Sequence, residues 1–385
     1  SSTSRGLGDV YKRQLVQVVI ATHRYERPIE RAVASVVEGN TTNGAIVVVH
    51  NIDPQPIRQR LEQFGSRVQI LTCTDGIPSP AGPLNTGLEA ATAPYVTAMG
   101  SDDYYQSGAG KAWAKYLKAN PSVDILILPT LEAATGTLDL PPVRVGRRRR
   151  LDPVKDRLTY RTGPLMLVRT ELLKRYQIRM SSGLRTGEDL AYSSRLFMVA
   201  QRIDLLPASA PKYIEADDGG VRVTSTPFTI AQQCAGAAIV ANSTWAEQLK
   251  PAARQALAVR LVRKSILPAV AKHSHDLSLD DVDYLYTLLT RVLLLAPRYY
   301  QVLSRNEARL VDALIIAHGD GASPDERQTR LLGARQAAAN LNQGGPANTV
   351  APVSARGWFS RQSRVAHWSA RKLNQLLDTL NRGDK

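Results

Sequence analysis

Apolar positions follow two alternating periods along the first part of the chain. Short β-branched runs are separated by stretches in which apolar residues return every three or four positions, the pattern of βαβ units around a mostly parallel sheet. Val16 to Ala21 reads as a first strand. Pro28 then suits a first helical turn, and Ile29, Ala32, Val33, Val36 and Val37 recur at helical spacing. Ala45 to His50 is an almost unbroken apolar run, as expected of a strand covered on both faces. A helix over Ile57 to Phe64, a strand over Val68 to Thr72, a helix over Pro83 to Ala91 and a strand over Tyr95 to Met99 continue the alternation. A helix over Ala109 to Ala119 and a strand over Ile125 to Leu128 close it.

Beyond residue 130 the pattern loosens into a Pro- and Arg-rich stretch, Pro141 to Arg157, which contains Arg147-Arg148-Arg149-Arg150. Order returns with a strand over Leu165 to Val168, a helix over Thr170 to Tyr176 and a helix opening near Thr186-Gly187-Glu188-Asp189. From Thr229 to about Ala339 the chain is rich in Ala, Leu and Arg with few strand signals. The reading is an α/β domain over 15–228, an all-helical domain over 229–339, a polar linker over 340–352 and a basic amphipathic tail over 353–385. Residues 1–14 lack a hydrophobic period and resemble translated sequencing-adapter sequence, so they are set aside as a scar.

Composition removes several classes. At 43% hydrophobic and 22% charged residues, the 385-residue chain reads as globular rather than disordered. Two cysteines, Cys73 and Cys234, do not make a disulfide scaffold, a structural zinc site or an iron–sulfur cluster, and both read as buried apolar residues. No apolar run approaches the roughly 20 residues that span a bilayer, and no signal peptide is visible, so the expected compartment is the cytoplasm. The net charge of +15 predicts an anionic partner: nucleic acid, a phosphate-rich substrate, an acidic glycan or a lipid surface.

Ligands of open parallel sheets bind beyond the carboxyl ends of the strands. Polar residues there are Thr22-His23-Arg24, then His50-Asn51-Ile52-Asp53, then Asp75-Gly76, then Asp102-Asp103. Four strand ends would thus meet at one crevice with two carboxylates at its centre. Taken alone, the Asp pair reads more readily as a solvated turn.

Together these pieces resemble the family 2 glycosyltransferases of the GT-A fold. The resemblance covers roughly Leu15 to Thr226. It is carried by Val18-Val19-Ile20-Ala21-Thr22-His23-Arg24 with Pro28, by Gly82-Pro83-Leu84-Asn85-Thr86-Gly87-Leu88, by Ser101-Asp102-Asp103, and by Gly187-Glu188-Asp189 with Arg195. It implies a Rossmann-like, mostly parallel sheet and metal-dependent, inverting transfer of a hexosyl or N-acetylhexosaminyl group from a nucleotide sugar, UDP-linked by expectation. The acceptor would be a hydroxyl of a bacterial cell-surface or cell-wall glycan, free or lipid-linked. Mn²⁺ or Mg²⁺ would be held by Asp103, with Asp102 on the ribose or a bound water. Thr22, His23, Arg24, His50, Asn51, Asp53, Asp75 and Asn85 would line the donor. Asp189 would be the base that takes the acceptor proton, and Glu188 would orient the substrate. That Glu-Asp pair is also what an acidic first helical turn would supply.

The chain departs from the family pattern at three places. His50 and Asn51 stand where two acidic residues are usual, Gly100 replaces a further Asp before the metal motif, and Leu84 replaces an Arg. The loop Asp217 to Thr224 lies where relatives close over the diphosphate; Arg222 would clamp phosphate there with help from Thr224, or the segment is a plain surface turn. Gly163-Pro164-Leu165-Met166 would form the acceptor-side wall. Gly108-Ala109-Gly110-Lys111 lacks the spacing of a phosphate loop, and His273-Ser274-His275 reads as a solvated helix end.

The charge concentrates away from these acids. Arg144 to Arg161 holds eight Arg or Lys against two Asp and reads as a solvated mobile loop, or as a contact for an anionic acceptor or lipid phosphate. In the tail, Val365, Trp368, Leu373, Leu376, Leu377 and Leu380 share a helical face flanked by Arg361, Arg364, Arg371 and Lys372. That face suits the inner surface of an anionic membrane or a packing partner. Rival functions are a GT-A-fold nucleotidyltransferase, which Thr22-His23-Arg24-Tyr25 disfavours by lacking glycine, and a non-enzymatic polyanion-binding protein. The 6% aromatic content disfavours nucleic acid as partner.

Overall fold

The computed structural model describes residues 14–38, 42–161, 165–216, 227–358 and 360–383. Most of the scar segment, the Gly163-Pro164 half of the proposed acceptor wall, and the loop carrying Arg222 and Thr224 lie outside the described residues. Among the described residues, those up to Leu140, Arg147–Leu151 and 165–216 form one compact unit; Pro141–Gly146, Asp152–Arg161 and the residues from 227 onward form another.

The first unit is built on a seven-stranded sheet. Its strands are β1 (Val16–Thr22), β2 (Asn43–His50), β3 (Val68–Cys73), β4 (Tyr95–Gly100), β6 (Ile125–Ile127), β9 (Met166–Arg169) and β10 (Ile203–Leu205), in the spatial order β10-β6-β9-β4-β1-β2-β3. Strand β9 runs antiparallel to both neighbours and every other pairing is parallel. A smaller sheet joins β5 (Tyr104–Tyr105), β7 (Thr130–Glu132), β8 (Thr137–Asp139) and β11 (Tyr213–Glu215) in the order β5-β11-β7-β8. The helices are α1 (Ile29–Val37), α2 (Gln55–Leu61), α3 (Ala81–Ala90), α4 (Ala109–Ala119), α5 (Thr170–Tyr176) and α6 (Asp189–Val199).

The apolar runs explain this arrangement. Val16, Val18 and Ile20 of β1 and Ala45, Val47 and Val49 of β2 join Ile29, Val33 and Val36 of α1 in one core. Gln17 interrupts β1 without cost, because its Oε1 accepts the backbone N–H of Thr92 at 2.7 Å and of Ala93 at 2.9 Å. The strands missed by sequence, β5, β7, β8, β10 and β11, are two or three residues long. Runs that short carry too little alternation to be recognised.

The second unit is helical over most of its length, from α7 (Ile230–Ala241) through α8 (Thr244–Glu247), α9 (Pro251–Leu261), α10 (Leu267–Lys272), α11 (Leu279–Leu295), α12 (Arg305–His318) and α13 (Pro324–Ala339). Thr229, Ser278, Ser304 and Ser323 open four of these with reciprocal capping boxes. The stretch read as a linker contains a short helix, α14 (Pro346–Thr349); α15 (Ala355–Trp358) and α16 (Arg364–Gly383) follow. Glu307 anchors the start of α16. It accepts from Arg263 Nε and from Arg364 Nε, both at 2.7 Å, and those guanidiniums hold its carboxyl down to about 2 against the burial that would raise it. Trp368, Leu373 and Leu377 of α16 are exposed. No helix among the described residues is long and apolar enough to cross a membrane.

Candidate active site

The parallel order β4-β1-β2-β3 brings the four predicted strand ends side by side at one end of the sheet. Thr22 is buried at the end of β1 and turns the chain there, its Oγ1 donating to the Arg24 carbonyl at 3.1 Å. Arg24 is exposed. His23 sits between the polar groups of neighbouring strands. Burial lowers its pKa, the charges of Arg24, Arg27 and His50 lower it further, and Asp102 opposes them.

Beyond β2 and β3 lies a polar cluster. His50 is buried, and its Nε2 stands 2.9 Å from both Asp75 Oδ1 and Asn51 Nδ2. Asn51, in the left-handed region at φ 56°, donates to the same oxygen at 3.4 Å and accepts the Gly76 N–H at 3.0 Å. The Ile77 N–H, His50 and Asn51 together hold Asp75 down to about 2. Asp75 also lies against the start of α3, where a Cβ on Gly82 would stand 2.1 Å from its Oδ2. Cys73 differs from expectation. It is half-buried rather than buried, its Sγ 3.7 Å from Asp75 Oδ2 and its thiol pushed up by burial. Cys234 is buried, as read.

Beyond β4 the two carboxylates converge. A Cβ on Gly100 would stand 2.6 Å from Asp103 Oδ2 and 2.9 Å from Asp102 Oδ1, so only glycine leaves both oxygens room over the same backbone atom. Asp103 accepts the Tyr213 hydroxyl and, at Oδ1, the Ala216 N–H at 3.0 Å. Burial raises its pKa to about 6 and the neighbouring Asp102 adds to that, against the two donors. Such a penalty is one that a bound cation relieves. Paired carboxylate oxygens are the donor set of a hard divalent ion, so the residues fit Mn²⁺ or Mg²⁺.

Three residues that sequence reasoning missed complete this end. Arg27 donates to Asp102 Oδ2, and Arg31 to the Asp102 carbonyl. Tyr213, wedged edge-on against Tyr105 at 5.3 Å, sets Asp103 from below and accepts the Gly100 N–H at 3.2 Å. The i, i+4 spacing of Arg27 and Arg31 on either side of Pro28 was the available signal for the first two. Tyr213 lies in a three-residue strand with none.

Glu188 stands at the N-cap of α6 and Asp189 is its first residue. Burial, and then the charge of Asp189, raises Glu188 to about 7. The segment before them is tied to α3: Asn85 Nδ2 donates to the Met180 carbonyl at 3.0 Å, Asn85 Oδ1 accepts the Met180 N–H at 2.9 Å, and Ser79 donates to the Leu184 carbonyl. Two expectations for donor-lining side chains change here. Asn85 is buried with its amide committed to Met180, so it positions the loop ahead of Glu188. Asp53 is exposed and accepts the Gln55 N–H at 3.0 Å, which starts α2.

The architecture is of the GT-A type. It superimposes on the crystal structure of Staphylococcus aureus TarS 1–349 in complex with UDP-GlcNAc with a TM-score of 0.66 at 18% identity, over 84% of this chain and 90% of that one. Residues 17–177 match the model of glycosyl transferase family 2. Among curated proteins it is similar to the poly(ribitol-phosphate) beta-N-acetylglucosaminyltransferase TarS of S. aureus, 23% identical over 209 residues, which are 52% of this chain and 36% of TarS. It is also similar to the poly(ribitol-phosphate) beta-glucosyltransferase of Bacillus spizizenii, 25% identical over 152 residues, 40% of this chain and 24% of that protein. The chain therefore matches only about a third or less of the length of these relatives.

Proposed function

We propose that the first unit transfers a sugar from UDP to a hydroxyl of a phosphate-containing cell-wall polymer, with inversion. The observation that carries this reading is the convergence of Asp102 and Asp103 over Gly100, next to the His50-Asn51-Asp75 cluster on the same sheet end. A nucleoside diphosphate sugar needs both: polar groups for the base and ribose, and carboxylates that hold a cation for the diphosphate. The UDP-GlcNAc complex of the TarS fragment and the named substrates of the relatives support the choice of donor and acceptor class.

In this reading His50, Asn51 and Asp75 contact the nucleoside, where His50 and Asn51 supply the hydrogen bonds that two acids supply elsewhere. His23 and Arg24 lie along the donor between that cluster and Asp102. Asp103 and Asp102 would hold the divalent ion, which when bound neutralises charge on the diphosphate leaving group. Arg27 adds a fixed positive charge beside Asp102. Asp189 takes the proton from the acceptor hydroxyl as it attacks the anomeric carbon, on the face opposite the leaving group. Glu188 orients that hydroxyl. Asp189→Asn should lower kcat by about 10²–10⁴ while leaving UDP affinity unchanged; full activity in that variant would remove Asp189 from the mechanism.

A further inference from the structure

The Arg147–Arg150 run, part of the stretch read either as a solvated mobile loop or as a contact for an anionic acceptor or lipid phosphate, lies along the edge of the sheet. Leu205 N–H donates to the Arg148 carbonyl at 2.7 Å and Leu151 N–H to the Ile203 carbonyl at 2.8 Å, so 148–151 lies antiparallel beside β10 and extends it. The fully buried Asp204 organises the platform. Its Oδ1 accepts the Arg150 N–H at 2.7 Å; its Oδ2 accepts the Tyr116 hydroxyl at 3.0 Å and Arg202 at 2.9 Å. The Arg149 guanidinium stands over the Tyr116 ring at 5.9 Å. Arg147, Arg149 and Arg150 are exposed, and none has an acidic partner among the described residues. Exposed Lys115 and Lys118 flank Tyr116 on α4, a helix that contains no acid.

The basic strip runs down the sheet edge, Arg148 level with Ala98 of β4 and Leu151 level with Val96. It starts just short of the Asp102-Asp103 end and leads away from it, and Lys115 and Lys118 on the last turns of α4 continue in that direction. Arg148 pairs opposite Leu205, the last residue of β10, and β10 points the same way as β4 through β6 and the antiparallel β9. Four strand spacings separate β4 from the 148–151 edge, or roughly 19 Å at about 4.8 Å each. A monomeric acceptor at Asp189 has no use for charge at that distance. A polymer with repeating phosphates does, because successive anions occupy the strip while one unit reaches the base.

We propose that Arg147, Arg149 and Arg150, with Lys115 and Lys118, form a docking track for a polyanionic acceptor chain with repeating phosphates. The proposal rests on the acceptor class given under Proposed function, but its test does not require turnover. Sodium polyphosphate labelled with a fluorophore is titrated against the full chain at several salt concentrations. The triple variant R147E/R149E/R150E should bind at least tenfold more weakly and show a shallower salt dependence, by about two ions released. The surface variant K115E/K118E should show the same trend in smaller measure. UDP-induced thermal stabilisation should be unchanged in both, which reports an intact fold and donor site. Unchanged polyphosphate affinity in both variants overturns the proposal, as does tighter binding of duplex DNA or anionic vesicles than of polyphosphate at equal charge. If polyphosphate binding depends on the track while no UDP-sugar is ever consumed, the catalytic reading fails and the track stands.

Discussion

Arg27 is ion-paired with Asp102, the residue whose other carboxylate oxygen converges with Asp103 over Gly100. A guanidinium and a divalent cation therefore compete for one carboxylate. Arg27→Ala should tighten Mn²⁺ binding severalfold in the absence of nucleotide, as read by isothermal titration calorimetry. In the presence of UDP the gain should shrink or reverse, because the diphosphate loses a positive neighbour. Mn²⁺ affinity that ignores the substitution in both states would show that Arg27 only braces the loop.

Gly100→Ala tests the cradle itself. The added methyl collides with both carboxylates at 2.6 and 2.9 Å, while β4 is otherwise packed by Tyr95 to Met99 and keeps its register. Metal-dependent stabilisation by UDP should fall by an order of magnitude or more, with little change in melting temperature of the free protein. Equal response in wild type and variant argues that the two acids do not act on one ligand.

Asn85→Ala should act on the loop ahead of Glu188. Losing both hydrogen bonds leaves the Met180 N–H and carbonyl without their partner, at a cost of about 2–3 kcal/mol. Denaturant unfolding measures that loss. Transfer should drop more than UDP affinity, since the displaced groups are Glu188 and Asp189. A variant with weakened UDP binding and normal kcat would restore Asn85 to the donor side.

The pH dependence follows from Glu188. Its carboxyl is raised from the ordinary 4.5 to about 7, so the folded state holds a proton that the unfolded chain releases. The stability this gives is complete below about pH 4.5 and is lost as pH rises through 7. Glu188→Gln should therefore be more stable than wild type at pH 8, with the difference vanishing near pH 4. The transfer rate of wild type should rise through pH 7, and the Gln variant should lose that limb. A stability difference that is flat with pH would mean that Glu188 is ordinary.

Much of the fold was legible because long apolar strands announce themselves. Val16 to Ala21, Ala45 to His50 and Tyr95 to Met99 are central, covered on both faces and correspondingly apolar. The helices over Ala109–Ala119 and Thr170–Tyr176 match their amphipathic spans residue for residue. The second sheet stayed hidden, since its strands are short and one of its partners, Tyr213, acts on Asp103 from more than 100 residues away. The strand-end acids were proposed from position alone, as were Asn85 and Asp53, whose side chains bond the Met180 backbone and the Gln55 N–H. A polar residue near a crevice is as readily a support for backbone as a ligand contact. The backbone anchor of the Arg run was not legible, because Asp204 is buried and distant in sequence.

The central claim is that Asp103 holds the cation through which a UDP-sugar is bound. Thermal stabilisation of the full chain by UDP, with and without Mn²⁺, measures it directly in wild type and Asp103→Ala. The account predicts a shift that requires Mn²⁺ in wild type and disappears in the variant, with the fold of the variant intact. A metal-independent UDP shift that survives Asp103→Ala would contradict it.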